Sequence, residues 1–188
     1  MFKDLGRDVV LDEFIKIIEG SRKIQKMQPS SLAFHVVLIH FSKDLNQVLL
    51  YERSSNRSNA GKYDFGCVHL KYNRNLRESI KEYYSKALNT ENYTILEESN
   101  GHPVPVSVYT YEKSNKDIVN GLIFCAKLTE DLNPSNLKID GYNAIKWMNV
   151  KDILNKEDRE NNLFEGSVVN IRRAQKLIKE SEKTEEDC

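Results

Sequence analysis

The chain contains 188 residues, of which 39% are hydrophobic and 30% are charged; this is enough for one domain with its own core and too little for two domains of ordinary size. Its 28 basic and 28 acidic side chains give a formal net charge of zero, so no bulk field attracts nucleic acid or an anionic membrane, and we expect neither as a partner. No stretch reaches the roughly 18 apolar residues of a membrane span, and the first ten residues lack the apolar core of a secretory signal, so we expect a cytoplasmic protein.

The amino-terminal part of the chain predicts an accessory helix, a β-hairpin and a third strand. Helical spacing puts four apolar residues near one side of the first segment: Val10, Phe14, Ile17 and Ile18. Gly20 lies near the end of this helix, and Pro29 stops any continuation. Two β-rich runs, LAFHVVLIHF and QVLLYER, are separated by the turn-forming segment SKDLN, which predicts the hairpin. After the loop SSNRSNAG, the run KYDFGCVHL predicts one further strand.

A second helix is predicted directly after this strand. Asn75 suits the N-cap position, and Glu78 follows three residues later, as in a capping box. Five apolar or aromatic residues then fall at helical spacing: Leu76, Ile80, Tyr83, Tyr84 and Ala87. Asn89 suits the left-handed position that ends a helix.

The remainder of the chain predicts three strands, a strand that becomes a short helix, and a final helix. The three strands are NYTILEES, VPVSVYTYEK and IVNGLIFCAKL, the last two joined by the polar turn SNKD. NAIKWMNVKDIL begins as a strand, which Trp147 anchors in the core, and ends as a helix. EGSVVNIRRAQKLIKES is a helix whose apolar side is Val168, Ile171, Leu177 and Ile178. Without a regular βαβ repeat, this order predicts an α+β fold, an α/β/α sandwich with a mixed sheet and accessory N- and C-terminal helices.

The three cysteines indicate neither a disulfide framework nor a zinc site, because they are odd in number and widely spaced. Cys67 and Cys125 lie in apolar strand-like runs and are predicted to be small core residues, whereas Cys188 ends a charged tail.

From about His35 to Leu154 the chain resembles the Nudix superfamily. VLLYERS is similar to a strand that ends with an arginine in that family, YDFGCVHL to its W-x-F-P-G-G strand and loop, and AIKWMNVKDI to its terminal strand and helix. The resemblance implies one Nudix-like domain over residues 1–188, with a helical extension (1–30), a Nudix-like core (31–156), and a C-terminal helix with a charged tail (157–188).

The Nudix signature is G-x5-E-x7-R-E-u-x-E-E-x-G-u, in which u is a bulky aliphatic residue and three glutamates on one helix face hold magnesium against a diphosphate. Aligned without gaps from Tyr63, this chain has Arg74 at the first glutamate and Glu82 at the arginine, while Asn89 takes the place of the closing glycine. The three ligand positions are occupied by Tyr83, Lys86 and Ala87. A register slipped by one residue keeps Glu82 as one ligand and puts Ser85 and Lys86 at the others. We prefer the ungapped register because Asn89 can end the helix there.

Either register implies that magnesium-dependent hydrolysis is lost or very weak. Magnesium in proteins usually needs one or two carboxylates besides substrate phosphates, and Lys86 would repel the ion by about 4 kcal/mol at 4 Å and an effective dielectric near 20. We therefore expect no cofactor, no catalytic residue and no metal ligand. The expected role is a sensor that binds a nucleotide or another diphosphate-containing small molecule, or a module that binds a protein partner or forms a homodimer. The alternative is an active hydrolase of nucleoside diphosphate derivatives, with magnesium held by non-standard ligands drawn from Glu78, Glu82, Glu97 and Glu98.

The candidate ligand-binding residues lie on strand ends, on loops and on the helix that this fold gathers near its cleft. They are Arg53, Lys62, His69, Lys71, Arg74, Glu82 and Lys86. Arg57 lies in the same loop region and is a further conceivable member of an anion pocket. Taken singly, each cation also fits the description of an ordinary surface charge, so the prediction concerns the group.

Overall fold

The computed structural model describes residues 32–69, 76–112 and 118–186. The predicted N-terminal helix, the predicted N-cap Asn75, the SNKD turn and Cys188 lie outside these ranges, as do the candidate site residues Lys71 and Arg74. The chain divides into a main unit, Phe34–Tyr109 with Gly121–Cys188, and a minor unit, Met1–Ala33 with Thr110–Asn120. In the minor unit, the Thr110 hydroxyl donates a hydrogen bond of 2.8 Å to the Asn120 side chain.

Within the described ranges, strands and helices alternate irregularly, as the sequence predicts. The strands are β1 Leu32–Phe41, β2 Gln47–Arg53, β3 Tyr63–Asp64, β4 Val68–His69, β5 Tyr93–Ile95, β6 Ser107–Glu112, β7 Ile118–Leu128 and β8 Tyr142–Asn149. The helices are α1 Leu76–Leu88, α2 Val150–Leu154 and α3 Ser167–Glu186, with a 3-10 turn at Pro134–Asn136. None of these helices is both long and apolar enough to cross a bilayer.

The strands form one sheet in the order β3-β2-β1-β7-β5, in which β4 also pairs with β1, β6 with β7 and β8 with β2. The predicted hairpin is confirmed by the antiparallel pairing of Phe41 with Val48. A parallel bridge between Tyr63 and Leu163 makes the pairing mixed. The predicted α+β class with a mixed sheet is therefore confirmed.

The two faces of the sheet are covered by different helices. On β2, Val48 and Leu50 belong to a core cluster that also contains residues of α2 and α3. The alternate residues Leu49 and Tyr51 pack with Leu88 of α1. Because successive side chains of a strand point to opposite faces, α1 lies on one face and α2 and α3 lie on the other. This arrangement is the predicted α/β/α sandwich.

The cysteine and tryptophan predictions agree with this core. Cys125 is fully buried and Cys67 packs against the same cluster. Trp147 is partly buried against the other face and donates a hydrogen bond of 2.8 Å from Nε1 to the carbonyl of Leu132. Both sequence-based interpretations are confirmed.

One prediction was wrong in detail, because KYDFGCVHL does not form a single strand. It forms the two-residue strands β3 and β4, separated by Phe65, Gly66 and Cys67. Gly66 has a φ of 70°, a left-handed conformation that interrupts an extended chain and that glycine adopts without steric cost. The Gly66 N–H donates to Asp64 Oδ1 at 2.8 Å, which fixes the turn. The sequence pattern predicts a single strand because most of its residues are apolar or aromatic, and one glycine is a weak signal for a turn.

Helix α1 ends as predicted. Asn89 has a φ of 51°, the left-handed conformation that stops a helix and that asparagine tolerates better than most residues. Ile80 and Tyr84 are fully buried, and Leu88 almost so. The ungapped alignment puts Tyr84 at an aliphatic position of the Nudix signature and Asn89 at its closing glycine, and this register stays a prediction.

Candidate functional site

The candidate site lies at the loop between β3 and β4 and at helix α1. Tyr84 connects this loop to the helix. Its phenol oxygen accepts a hydrogen bond of 3.0 Å from the Leu38 N–H of β1, and its O–H donates to the Gly66 carbonyl at 3.3 Å. Burial raises the pKa of this phenol well above its usual value, so it stays neutral and can donate. One side chain therefore positions α1, the central strand and the glycine turn relative to one another.

Arg53, a predicted ligand-binding residue, is occupied in holding this loop. Its Nη1 lies 2.6 Å from Asp64 Oδ2, and its Nε and Nη2 donate to the carbonyl and hydroxyl of Ser58 at 2.6 and 3.1 Å. The Arg53 and Asp64 side chains are only 13% and 14% exposed. The other Asp64 oxygen accepts a hydrogen bond from the Gly66 N–H. Both charged groups of this ion pair are therefore already bound by other groups of the protein.

Arg57 is held differently, in a setting that we call the arginine cradle: Arg57, Cys67, Gly141 and Tyr142. The guanidinium carbon lies 4.5 Å from the centre of the Tyr142 ring, and Nη2 lies 3.8 Å from Cys67 Sγ. Gly141 has a φ of 83°, and a Cβ added there would lie 3.1 Å from Arg57 Cδ, so the arginine stem occupies the space that a side chain would fill. No carboxylate of the described residues lies within ion-pair distance of Arg57.

The side chains that contact the Arg57 guanidinium are neutral. Burial raises the pKa of the Cys67 thiol and of the Tyr142 phenol. Burial also raises the pKa of Tyr83, and nearby Cys67 adds to this effect. Among the described residues, the buried hydroxyls of Tyr51 and Tyr142 have no hydrogen-bond partner. The cradle thus combines one cation with phenol donors.

In the ungapped alignment, the three metal-ligand positions of the Nudix signature fall on Tyr83, Lys86 and Ala87 of α1. In the part of the chain that the structure describes, no three His, Cys, Asp or Glu side chains converge on a common point. Glu97, considered as a non-standard ligand, is bound by Arg77 through two contacts of 2.6 and 3.1 Å. Magnesium prefers oxygen ligands in a near-octahedral arrangement with at least one carboxylate. Within the described ranges the structure therefore contains no cluster of three such side chains from which a protein-only magnesium site could be built.

Glu82 and Lys86 line a cavity beside α1, which we call the α1 groove. This cavity of about 590 Å³ is lined by Lys81, Glu82, Ser85, Lys86, Asn89, Thr90, Glu91 and Tyr93. It is polar, and a hydrogen bond of 3.0 Å joins the Ser85 and Tyr93 hydroxyls in its wall. Because it carries cations and carboxylates side by side, its charge favours no single class of ligand.

The remaining predicted residues occupy separate places. His69 on β4 is paired with His35 on β1, with 4.2 Å between ring centroids, and the Lys62 carbonyl accepts a hydrogen bond from Arg53 N–H at 2.9 Å. The structure therefore brings Arg53 and Lys62 together, and Glu82 with Lys86, but not all the candidates at one point. The sequence predicts Arg57 only as a loop cation and does not predict Tyr142 as a site residue. No local motif links the two residues.

Comparison with solved structures identifies the fold. A Nudix-family hydrolase from Clostridium perfringens superposes with a TM-score of 0.57 over 77% of this chain and 97% of its own, at 18% sequence identity. The Nudix domain of Shewanella oneidensis NrtR, solved in complex with ADP ribose, gives 0.56 over 79% and 90%, at 13% identity. An Ap4A hydrolase from C. elegans gives 0.52 over 78% and 98%, at 14% identity. No family model matches the sequence, and no curated protein is significantly similar to it. The chain has a Nudix-like domain, so the predicted resemblance is confirmed at the level of the fold.

Proposed function

We propose that this Nudix-fold domain binds a nucleotide-like, diphosphate-containing small molecule and does not carry out magnesium-dependent hydrolysis. The observation that carries the proposal is the set of side chains at three positions of α1. A phenol, an ammonium group and a methyl group stand at Tyr83, Lys86 and Ala87, where the ungapped alignment with the Nudix signature has three carboxylates. A fold that keeps the cleft but replaces its metal ligands retains a place for a ligand and loses the group that activates water.

The class of ligand is supported by the chemistry near the cleft and by one structural neighbour. The described side chains that contact the Arg57 guanidinium are a neutral phenol and a thiol, and an arginine in such a setting suits phosphate oxygens. The Shewanella oneidensis domain was solved with ADP ribose, a diphosphate-containing nucleotide. A phenol face such as that of Tyr83 also offers stacking area to a base.

The test is thermal unfolding with nucleoside diphosphate derivatives, including ADP-ribose, in the presence of EDTA. A ligand that binds only the folded state at a hundred times its Kd stabilises that state by about 2.7 kcal/mol, which corresponds to a rise in Tm of about 5–10 °C for a chain of this size. Adenosine, which has no phosphate, is the control and should produce no shift. If no compound in the panel changes Tm, the ligand-binding proposal is wrong and a role in binding another protein takes its place.

The alternative, an active hydrolase, is tested on the same preparation by release of phosphate or mononucleotide with magnesium. We expect no release above the protein-free blank. The slipped register makes Glu82 the one retained ligand, so the alternative predicts turnover that Glu82→Gln abolishes. Glu91→Gln is the matched control because Glu91 lines the same groove. Magnesium-dependent turnover that only Glu82→Gln removes would refute the proposal.

A further inference from the structure

We infer that Arg57 is a metal-free oxyanion receptor: the arginine cradle binds a phosphate group, free or as part of a nucleotide, without a divalent cation. The inference rests on the proposed function, because it names the residue that holds the ligand's phosphate.

The first support is an unbalanced charge. Arg57 is half-buried, and no carboxylate of the described residues lies within ion-pair distance of its guanidinium. Withdrawing a charge from water costs free energy unless an opposite charge or several hydrogen bonds compensate it. Its one side-chain hydrogen bond, to the sulfur of Cys67 at 3.8 Å, is a weak one. An anion supplied by a ligand provides the missing compensation.

The second support is preorganisation. The Tyr142 ring lies under the guanidinium at 4.5 Å, and the absence of a side chain at Gly141 leaves the arginine stem its place. A planar guanidinium that is fixed before binding loses little rotational freedom when it forms two parallel hydrogen bonds to a phosphate. These contacts do not involve the neighbouring Arg53, which has its own partners.

The third support is that the nearby carboxylates of Asp64 and Asp140 do not form an ion pair with Arg57. Both oxygens of Asp64 are engaged, by Arg53 and by the Gly66 N–H. Asp140, next to Gly141 in the sequence, is exposed and does not lie within ion-pair distance of Arg57. Tyr142, whose buried hydroxyl has no hydrogen-bond partner among the described residues, remains a neutral donor. Arg57 and Tyr142 together therefore favour binding of an anion over binding of a metal cation.

The experiment is isothermal titration of the full chain with inorganic pyrophosphate, ADP-ribose and adenosine, in EDTA. Wild type should bind the first two and not adenosine. Arg57→Gln should weaken binding at least tenfold, which corresponds to about 1.4 kcal/mol. Arg57→Lys keeps the charge but loses the planar fork, so we expect an intermediate affinity. Arg173→Gln, which removes an exposed arginine of α3, is the matched control and should bind as wild type does.

The outcomes separate this inference from the function on which it rests. If Arg57→Gln is folded and binds like wild type, the cradle is not the receptor, while ligand binding itself stands. If Arg57→Gln does not fold, Arg57→Lys decides: unchanged affinity overturns the inference, and a loss supports it. Equal losses in Arg57→Gln and Arg173→Gln would mean non-specific attraction and would also overturn it. Binding that appears only with magnesium, accompanied by turnover, overturns both.

Discussion

Tyr84 shows how a single hydroxyl can determine where a helix lies. In the ungapped alignment this residue takes an aliphatic position of the Nudix signature. Its ring is buried in the core, and its oxygen adds two hydrogen bonds. Those bonds reach Leu38 on the central strand and Gly66 in the turn. Buried hydrogen bonds of this kind are worth most when their loss leaves a backbone group unsatisfied.

We expect Tyr84→Phe to lower the free energy of unfolding by about 1–3 kcal/mol, because the Leu38 N–H and the Gly66 carbonyl both lose a partner in the core. Urea unfolding followed by circular dichroism measures the change. Tyr83→Phe is the matched control: the neighbouring phenol has no hydrogen bond among the described residues, and its removal should change stability by less than about 0.5 kcal/mol. Equal effects of the two substitutions would contradict this account.

At the scale of elements, the segment before α3 supports both that helix and the site loop. Tyr63 N–H donates to the Asn162 carbonyl at 2.9 Å, and Phe164 N–H donates to the Tyr63 carbonyl at 2.8 Å, which ties the segment to β3. Asp158 then caps α3, since its two carboxylate oxygens accept from Gly166 and Val168 N–H groups, each at 2.7 Å. These bonds satisfy amide groups near the helix start that would otherwise have no partner.

Asp158→Ala should therefore lower the free energy of unfolding by about 1–3 kcal/mol, through loss of two charge-assisted hydrogen bonds at the start of α3. The measurement is urea unfolding by far-ultraviolet circular dichroism. Asp131→Ala serves as the control because Asp131 is exposed and makes no hydrogen bond in the described ranges; it should stay within about 0.5 kcal/mol of wild type. A neutral result for Asp158→Ala would show that α3 is held by packing alone.

Elements that depend on local pattern were predictable, and contacts that depend on topology were not. β2 and β7 match their predicted runs residue for residue, because alternation and β-branched residues act within a few positions. The end of α1 at Asn89 followed from its tolerance of a left-handed backbone. By contrast, Arg57 and Tyr142 meet only because β2 pairs with β8, and His35 meets His69 only through the register of β1 with β4. Such registers are set by the whole sheet and leave no mark in a short stretch of sequence.

At the scale of the whole molecule, His40 links the core to the surrounding pH. It is fully buried on β1, between the rings of Tyr84 and Tyr93 at 5.0 and 5.4 Å. Burial lowers its pKa from 6.5 to about 3, so the folded protein keeps the imidazole neutral. The unfolded chain protonates it near pH 6.5. Between these two values the unfolded state binds the extra proton, and stability falls as the pH falls.

We expect His40 to cost the folded state about 2 kcal/mol at pH 5 relative to pH 7. The comparison is urea unfolding of wild type and His40→Leu at both values, because the leucine variant lacks this titration. On acidification from pH 7 to pH 5, the free energy of unfolding of wild type should fall by about 2 kcal/mol more than that of His40→Leu. His102→Leu, at an exposed position, should show no comparable shift. If His40→Leu and wild type respond alike to acid, the histidine is not the titrating group.

The glycine beside Arg57 has a consequence for finding other chains of this kind. Gly141 directly precedes β8, and a loop arginine from far upstream lies in the space that a side chain at Gly141 would fill. Other chains that hold an arginine in this way can therefore be sought by a two-part pattern, an arginine between β2 and β3 together with a glycine–tyrosine pair where the last strand begins. This pattern describes a contact between side chains that are distant in sequence, whereas the glutamates of the Nudix signature describe a metal site.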